Sequence, residues 1–302
     1  MRVAVTGATG FIGRYLVRQL ISSDHQLACW FRDPNRRDSE LVSSDAIEWI
    51  PGQLDDPDST STLVARCDAV VHAAFWRPGR GFRDAEGDIV EFARRNVLGT
   101  LRLIEAAREA GIDRFVFIST CAVHEQILDD RPLDEAHPLW PLTHYGAHKA
   151  ALEKFVHSYG LGQGMNICAL RPTGVYGIQP RLQDSKWYPL IADIVAGRPV
   201  QVAGGGKEVH AQDVARAVEI LLTAPNVAGQ AYACYDRYVS EYEVAEIARD
   251  IAGTDSPIQG AAKTPRHEIQ TGKIRALGMA FGGTPQLRQT IAQMVERIRQ
   301  TG

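Results

Sequence analysis

Long apolar runs, closely spaced cysteines and an excess of charge of one sign are all missing from this 302-residue chain. No apolar run approaches the roughly 20 residues that a membrane-spanning helix needs. The first residues, MRVAV, lead directly into glycines and not into the apolar segment of a signal peptide. We therefore expect neither a membrane protein nor a secreted one, and the predicted location is the cytoplasm.

The five cysteines stand far apart, with no CxxC pair. A disulfide framework or a zinc site is therefore not predicted, and we interpret the cysteines as reduced thiols. His144 and His148 are four residues apart, a spacing that could bring both to one metal ion. Because they flank Tyr145 and Lys149, which we interpret as an acid–base pair, we expect no metal site.

The charges are nearly balanced, with 33 Lys and Arg residues against 36 Asp and Glu residues and a formal net charge of -3. This balance provides no overall positive field for a phosphate backbone or an anionic membrane. Nucleic acid and membranes are therefore not expected as partners. Hydrophobic residues at 45% and charged residues at 23% are typical of a globular protein with a core.

Short β-branched runs alternate with helical patterns through the first two thirds of the chain. The predicted strands are 3–7, 26–31, 46–50, 69–74, 115–119 and 166–170. Residues 12–22 and 97–110 have apolar positions at helical spacing, and Gly111 stands where a left-handed residue would end the second helix. This alternation predicts βαβ units with right-handed crossovers, and hence an α/β fold with a doubly wound parallel sheet.

After Pro172 the pattern loosens. Glycine, proline and tryptophan interrupt residues 174–206. Further helices are predicted at 213–223, 241–252 and 285–300, and a further strand at 231–235. We predict a large domain over 1–173, completed by about 207–237, and a small mixed subdomain of 174–206 and 238–302 that binds the substrate.

Three glycines, Gly7, Gly10 and Gly13, follow the first strand directly and precede the first helix, in the sequence TGATGFIG. Glycine permits a tight turn, a close approach of the backbone to a pyrophosphate and close packing of the helix. The N–H groups at the helix start then face the anion. The spacing is GxxGxxG and not GxGxxG, and a purely structural turn is the alternative.

The end of the second strand carries Phe31 and Arg32, where many dinucleotide-binding folds place a carboxylate for the adenosine ribose. An arginine suits a 2′-phosphate, to which it donates charge-assisted hydrogen bonds. We therefore hypothesise that NADP is preferred over NAD. The alternative is that Arg32 only opens a charged turn, RDPNRR.

Tyr145 and Lys149 form a YxxxK pair, which lies on one face of a helix. An ammonium group beside a phenol favours the phenolate and lowers the pKa of tyrosine, which is near 10 in water. Ser119 and Thr120 end a predicted parallel strand, at the edge where ligands of open α/β sheets bind. These residues together indicate acid–base chemistry.

Residues 75–95 are the least regular stretch, and they contain five arginines. These are Arg77, Arg80, Arg83, Arg94 and Arg95. We interpret the stretch as a solvated loop followed by the start of a helix. The alternative is a lid whose arginines cover an anionic ligand.

Taken together, these motifs resemble the extended short-chain dehydrogenase/reductase family, also called the NAD(P)-dependent epimerase/dehydratase family. The resemblance covers most of residues 1–215. The motifs that carry it are TGATGFIG at 6–13, DAVVHAA at 68–74, NVLGT at 96–100, FIST at 117–120, YGAHK at 145–149 and LRPTGVYG at 170–177.

The resemblance implies a Rossmann-type NAD(P)-binding domain, a catalytic triad of Thr120, Tyr145 and Lys149, and a homodimer formed through two helices. The implied cofactor contacts are Gly7, Thr9, Gly10, Phe11, Ile12, Gly13, Arg32, Gln53, Leu54, Ala73, Ala74, Tyr145, Lys149 and Pro172. The residues expected to border the substrate are Cys121, His124, Arg171 and Tyr176. Asn96 matches an asparagine of the family, although an N-cap at the start of the helix explains it equally well.

Several positions depart from the family pattern. Gln53 stands where an aspartate is usual, with Asp55 two residues later, and His124 replaces a tyrosine of the substrate wall. Cys121 and Ala122 replace the acidic pair of dehydratases. The stretch GGGKEVHAQDVA lacks the arginine that holds a diphosphate in sugar-nucleotide enzymes. The missing acidic pair disfavours dehydration, and the missing arginine disfavours a nucleotide-sugar substrate.

The function expected from these residues is hydride transfer between a nicotinamide cofactor, NADP or NAD, and a secondary alcohol or its ketone. One alternative is a nucleotide-sugar epimerase that retains NAD. A second is a non-catalytic NADP-sensing regulator with the same fold. The complete Thr-Tyr-Lys set disfavours the regulator.

Overall fold

The computed structural model describes residues 1–38, 40–78 and 87–301. The strands are β1 (Arg2–Thr6), β2 (Gln26–Phe31), β3 (Ile47–Pro51), β4 (Ala69–His72), β5 (Arg114–Ile118), β6 (Asn166–Pro172), β7 (Gly174–Tyr176), β8 (Val200–Val202), β9 (Gly205–His210), β10 (Gln230–Cys234), β11 (Arg237–Ser240) and β12 (Ile258–Gly260). The α-helices are α1 (Phe11–Ser22), α2 (Pro57–Val64), α3 (Ile89–Ala93), α4 (Gly99–Glu109), α5 (His144–His157), α6 (Tyr188–Val195), α7 (Ala211–Thr223), α8 (Glu241–Ala252), α9 (Gly272–Arg275) and α10 (Gly283–Thr301).

Within the described residues, seven strands form a parallel sheet in the order β10-β6-β5-β4-β1-β2-β3. The strands are short apolar runs because both faces of such a sheet are covered by helices. The chain proceeds from β1 toward β3 in one direction and from β4 toward β10 in the other, so the order switches between β1 and β4. This arrangement confirms the predicted doubly wound α/β fold and opens a crevice beyond the carboxyl ends of these two strands.

The core of this sheet is apolar on the faces that the helices cover. Leu103 and Ile104 of α4 are fully buried and pack in one cluster with Phe115 and Phe117 of β5. Each such side chain contributes about 1.5–3 kcal/mol on burial. Gly111 has φ +74° just after α4, as predicted for the residue that ends the helix. These contacts fix the carboxyl end of β5, where Thr120 follows.

The described residues divide into two compact units. The first contains residues 1–172, 214–234 and 270–279, and the second contains 173–213, 235–269 and 280–302. The second unit contains a mixed three-stranded sheet in the order β11-β9-β7 and a two-stranded pair, β12-β8. Its apolar core includes residues of α6, α8 and α10, among them Ile191, Val244 and Leu287.

The segment 270–279 belongs to the first unit, a return of the chain that no sequence pattern indicated. Lys273 accounts for it, because its Nζ donates to the carbonyl oxygen of Ala231 on β10 at 2.9 Å and lies over the ring of Tyr232. Among the described residues, no helix is both long and apolar enough to cross a lipid bilayer. Of the arginine-rich stretch 75–95, residues 79–86, with Arg80 and Arg83, lie outside the described residues.

Candidate functional site

The turn between β1 and α1 has no room for a side chain at Gly7 or Gly13. Gly7 has φ +74°, and a Cβ on it would lie 2.7 Å from the carbonyl carbon of Ala73. A Cβ on Gly13 would lie 2.0 Å from the carbonyl oxygen of Gly7. The N–H of Gly10 donates to the same oxygen at 2.9 Å and closes the turn. Bare backbone therefore surrounds the start of the helix.

The start of α1 fits a pyrophosphate. Gly10 precedes the helix without a side-chain cap, and the first turn contains no acidic residue. The first N–H groups of a helix have no partner within it, and the helix dipole favours an anion there. Thr9, Phe11 and Ile12, which were predicted to contact the cofactor, belong to this loop and first turn.

A buried histidine holds the loop after β4 in place. Thr100 donates to the carbonyl oxygen of Asn96, so its oxygen accepts from Nε2 of His72 at 2.9 Å. Nδ1 of His72 then accepts from the hydroxyl of Thr6 at 2.6 Å, and Thr6 in turn accepts from the N–H of Ala74 at 3.1 Å. Burial, and then the charge of the nearby lysine of α5, lower the pKa of His72 to about 3, so it is neutral.

This hydrogen-bonded chain positions Ala73 and Ala74 at the carboxyl end of β4, next to the glycine loop. Sequence reasoning assigned the two alanines but not the residues that hold them. The signal was present, because Thr6 and His72 end the neighbouring strands β1 and β4 and are paired in register. Polar residues at the ends of adjacent buried strands meet at one sheet edge.

The end of β2 is rich in positive charge. Arg32 follows the strand, and its pKa is lowered by burial and by the nearby positive charges of Arg36 and Arg95. Asp38, the next acidic side chain of this segment beyond Asp33, is paired with Arg18 at 2.8 Å. The acidic side chain nearest the strand end, Asp33, accepts from the N–H of Asn35 and caps the following turn.

The loop after β3 contains the other predicted adenine contacts. Gln53 is exposed, whereas Leu54 is buried against Gly99, where a Cβ would lie 3.3 Å from the Leu54 Cβ. Asp55 has φ +68°, and its two carboxylate oxygens form ion pairs with Arg94 and Arg102. Asp55 therefore ties this loop to the α3–α4 helix.

Thr120 and Tyr145 meet at the carboxyl end of β5. Helix α5 begins just before Tyr145, with the Thr143 hydroxyl as its N-cap. Burial raises the pKa of Tyr145 to about 12, although a hydrogen bond with the Thr120 side chain and the charge of Arg77 oppose it. The phenol is therefore protonated at neutral pH. This differs from the expectation that its pKa would be depressed.

The position of Lys149 explains why the pKa of Tyr145 is not lowered. It lies one turn after Tyr145 and is 5% exposed. Its Nζ donates to the carbonyl oxygen of Ile118 at 2.7 Å and lies 4.5 Å from the centre of the Phe117 ring. Burial lowers the pKa of Lys149 to about 7, although the charge of Glu153 opposes the shift. The ammonium is thus directed to the main chain of β5, and its pKa is lowered toward neutral pH.

Asn96 does not cap a helix. It lies in a π-helical segment, Arg94–Leu98, that joins α3 and α4 into one continuous helix. Its side chain accepts from the N–H of Trp76 at 2.8 Å and donates to the carbonyl oxygens of Trp76 at 2.9 Å and Phe92 at 3.1 Å. The extra residue of the π turn directs this buried amide onto the loop that follows β4.

Arg171 and His124 lie in a buried polar cluster, which we name the Glu153 cluster and which also contains Ser119. The guanidinium of Arg171 donates to both carboxylate oxygens of Glu153, at 2.6 Å from Nη2 and 3.0 Å from Nε. Nη1 donates to Nε2 of His124 at 3.1 Å, and the Ser119 hydroxyl donates to Glu153. Burial and the charge of Arg171 lower the pKa of His124 to about 4.

Arg171 and His124, which were predicted to border the substrate, are held inside the protein, and their role beside a substrate remains a prediction. Arg171 is only 2% exposed, and Nε, Nη1 and Nη2 all donate inside the protein. Nδ1 of His124 donates to the carbonyl oxygen of Pro138 at 3.2 Å, so both of its ring nitrogens are also engaged. Glu153, which sequence reasoning missed, is detectable as an acid four residues after Lys149 on the same helix.

Two other predicted residues lie close to this cluster. The thiol of Cys121 donates to the carbonyl oxygen of Arg171 at 3.0 Å and is partly exposed. Pro172 ends β6 and is buried. The roles of Cys121 and Pro172 as ligand contacts remain predictions.

Tyr176 belongs to the second unit, where it is buried between two aromatic rings. Its ring centre lies 5.0 Å from that of His210 and 5.3 Å from that of Trp187, a left-handed residue with φ +65°. In the same unit, the carboxylate of Glu208 is buried and forms an ion pair with Lys186. Burial raises the pKa of Glu208 to about 7, although Lys186 opposes the shift.

Several known enzymes are similar to this chain. A 4-hydroxy-2-methyl-3-oxo-4-farnesyl-3,4-dihydroquinoline-1-oxide ketoreductase of Stigmatella aurantiaca is 32% identical over 68% of this chain and 59% of that protein. A dTDP-glucose 4,6-dehydratase of Mycobacterium tuberculosis is 32% identical over 74% of this chain and 69% of that protein. Among solved structures, MoeE5 in complex with UDP-glucose and NAD is 26% identical and has a TM-score of 0.79, covering 100% of this chain and 99% of that chain.

The UDP-glucose 4-epimerase of Thermus thermophilus, solved with NAD, shares the fold at 24% identity and a TM-score of 0.78, with 100% of both chains covered. The chain spans 44% to 60% of the length of four of the curated relatives that it matches. The family model of NAD dependent epimerases and dehydratases matches residues 3–234. The prediction from the motifs is thereby confirmed, and the chain belongs to the NAD dependent epimerase/dehydratase family.

Proposed function

We propose that this protein is an NAD(P)-dependent oxidoreductase that moves hydride between the nicotinamide and a secondary alcohol or its ketone. The proposal depends on one observation: a phenol, a threonine hydroxyl and a buried lysine are close together at the sheet edge that also carries the glycine loop. NAD(P), when bound, supplies or accepts the hydride. The protein supplies the proton and the orientation of the reacting groups.

The three side chains have distinct roles in ketone reduction. Tyr145, a neutral phenol with a pKa of about 12, donates its proton to the substrate oxygen as that oxygen gains negative charge. Thr120 donates a hydrogen bond to the same oxygen and orients it. The Lys149 ammonium stabilises the phenolate that remains. Oxidation of the alcohol uses the same groups in reverse.

Replacement of Tyr145 by phenylalanine tests this function. General acid catalysis is typically worth 10²–10⁴-fold, so turnover should fall by at least about two decades. Binding of NADPH should persist, because the glycine loop is unchanged. The matched control is His144→Ala, since His144 is the exposed neighbour of Tyr145 and should keep its rate. A Tyr145→Phe enzyme with nearly full activity would exclude the proposed role.

We also propose that NADP is preferred over NAD. The supporting observation is that the positive charges of Arg36 and Arg95 lie near Arg32, while the Asp38 carboxylate is paired with Arg18. A group of positive charges of this kind suits a 2′-phosphate. Titration of the protein with NADPH and NADH tests the preference, and tighter binding of NADH would exclude it.

A nucleotide-sugar epimerase that retains NAD is the second candidate. It is favoured by similarity to a UDP-glucose 4-epimerase of Rhizobium meliloti, 32% identical over 65% of this chain and 60% of that protein. It is disfavoured by the stretch GGGKEVHAQDVA, which lacks the arginine that holds a diphosphate in sugar-nucleotide enzymes. Acid release of nucleotide from purified protein distinguishes the two, because an epimerase would yield near-stoichiometric NAD.

A non-catalytic NADP-sensing regulator is the third candidate. Such a protein needs the glycine loop but has no need for a phenol, a hydroxyl and a buried lysine at one sheet edge. Turnover with any member of a panel of ketones and secondary alcohols would exclude it.

We propose that the first unit binds the cofactor and the second binds the substrate, in a cytoplasmic enzyme. The glycine loop and the triad support the first assignment. The five free cysteines support the location, because reduced thiols persist in the cytosol. Cofactor titration of variants in each unit tests the division, and imaging of a fluorescent fusion tests the location.

The proposed homodimer is supported by exposed apolar side chains on or next to helices α4 and α5 of the first unit. Phe155 lies on α5, Leu161 follows it, and Leu98 precedes α4, and all three are exposed. Apolar side chains of this kind suit an interface between copies. Light scattering should give about twice the mass of one chain, and Phe155→Lys should reduce it toward the monomer. A monomeric native protein would exclude the dimer.

A further inference from the structure

The Glu153 cluster connects the two elements that carry the proposed catalytic groups. Glu153 lies one turn after Lys149 on α5, so the two side chains project from the same face of the helix. Ser119, which donates to Glu153, directly follows Ile118, and the Ile118 carbonyl oxygen accepts from Nζ of Lys149. A change at Glu153 therefore acts on Lys149 both through space and through the end of β5.

Few charged groups lie around Glu153 and Lys149. Glu153 is 0% exposed, it accepts hydrogen bonds from the buried Arg171, and its charge acts on the buried Lys149. The other titratable groups that surround Lys149, Tyr145 and the cluster are His72, Arg77, Cys121, His124, His137, His148 and Lys273. Burial keeps His72, His124 and His148 neutral near pH 7, because it lowers their pKa values to between about 2 and 4. Among the described residues, Glu153 is the acidic group that acts on Lys149.

We propose that Glu153 is a positioning residue that holds Lys149 in its charged form, and that Arg171 and Ser119 hold the Glu153 carboxylate in place. The inference rests on the proposed function, because the charge of Lys149 is what the phenolate of Tyr145 requires. Desolvation favours the neutral amine. A carboxylate one turn away opposes that effect and lets a fully buried lysine serve as a cation near neutral pH.

A purely structural role for the ion pair is the competing explanation. Coulomb attraction between buried partners is largely offset by the cost of taking both from water, so such a pair contributes little net stability. Its field still acts on a third charge nearby, because screening is weak in the interior. The two explanations differ in a measurable way, since only the proposed role changes the titration of Lys149.

The test is lysine NMR on the cofactor-free protein, carried out with 13Cε-labelled lysine. The chain contains six lysines, and the signal of Lys149 is assigned from its loss in Lys149→Met. The variants are Glu153→Gln, the double variant Glu153→Gln/Arg171→Met, and the control His124→Gln. The double variant removes both partners of the Glu153–Arg171 ion pair, so no buried guanidinium is left unpaired and it should fold even if the single variant does not.

The midpoint of the Lys149 titration should fall by about one pH unit or more in Glu153→Gln, since an opposite charge nearby shifts a pKa by that much. It should fall by less in the double variant, because loss of the Arg171 cation partly offsets the loss of the carboxylate. It should move little in His124→Gln, which loosens Arg171 without removing a charge. An unchanged midpoint in the Glu153 variants that fold would overturn the proposal. The result does not depend on turnover, so it separates this inference from the proposed oxidoreductase activity.

If the protein reduces a ketone, the alkaline limb of its pH–rate profile should move to lower pH by the same amount. A structural defect would instead lower the rate at every pH. A shifted NMR titration with an unshifted pH–rate profile would show that Lys149 does not act through its charge, and that result would refute the catalytic part of the proposal.

Discussion

Replacement of Arg32 by serine gives the sharpest test of cofactor choice. The guanidinium lies at the end of β2 near the positive charges of Arg36 and Arg95. A phosphate held there accepts charge-assisted hydrogen bonds, each worth about 1.5–3 kcal/mol. Loss of the guanidinium should therefore weaken NADPH binding by about 2–3 kcal/mol, or roughly 30- to 150-fold in Kd.

The assay is fluorescence titration of the native protein and of Arg32→Ser with NADPH and with NADH. The Kd for NADH should change by less than about threefold, because NADH has no 2′-phosphate to lose its partner. The charge-matched control is Arg108→Ser. Arg108 lies in the last turn of α4, just before β5 begins, so it belongs to the opposite edge of the sheet. Its loss should leave both dissociation constants unchanged.

Salt provides a second measurement on the native protein. Raising the ionic strength screens an exposed pairing between arginine and phosphate, so the preference for NADPH should narrow as salt increases. Equal losses of NADPH and NADH affinity in Arg32→Ser would leave the ratio of the two dissociation constants unchanged. That result would mean that Arg32 acts on the fold of the loop, and it would refute its assignment to the 2′-phosphate.

Three further predictions concern the loop, the α3–α4 helix and acid stability. Gly13→Ala should weaken NADPH binding at least tenfold in a titration, because its Cβ would meet a carbonyl oxygen at 2.0 Å, whereas Gly162→Ala, with open space around it, should not. Asn96→Ala should lower the free energy of unfolding in urea by at least about 2 kcal/mol, because main-chain groups lose buried partners. The third prediction concerns the buried histidines His72, His124 and His148. They stay neutral in the fold and protonate on unfolding, so stability present above about pH 6.5 should be lost as the pH falls toward 4, by roughly 4 kcal/mol per pH unit near pH 5. A flat urea midpoint over that range would contradict it.

Local signals predicted most of the fold. Helix α8 was predicted with its observed bounds because the Ser240 side chain caps its start, accepting from the N–H of Glu243, and Gly253 ends it at φ +60°. The glycine loop was predicted because its glycines directly follow a strand and precede a helix. The observed strand bounds differ from the predicted ones by up to two residues, because the sequence alone does not determine where a strand ends.

The parts of the site that were missed depend on contacts between distant residues. Arg171 and Glu153 are 18 residues apart and lie on a strand and a helix, so no local pattern pairs them. The direction of the Lys149 side chain follows from the free carbonyl of Ile118 at the end of another element. The π turn at Asn96 leaves no mark in apolar periodicity, and the segment was predicted as an ordinary helix start.

The order of the strands in the main sheet has a consequence for synthesis in the cell. Strand β6 pairs with β5 as soon as it emerges, but its other neighbour, β10, comes only after residues 173–229. At translation rates of about 5–20 residues per second, β6, with the sequence NICALRP, has no β10 to pair with for roughly 3 to 12 seconds. During that interval the nascent chain presents an open sheet edge of the kind that nucleates aggregation. Chaperone protection of the ribosome-bound intermediate is therefore most important just before the strand at Gln230 is made.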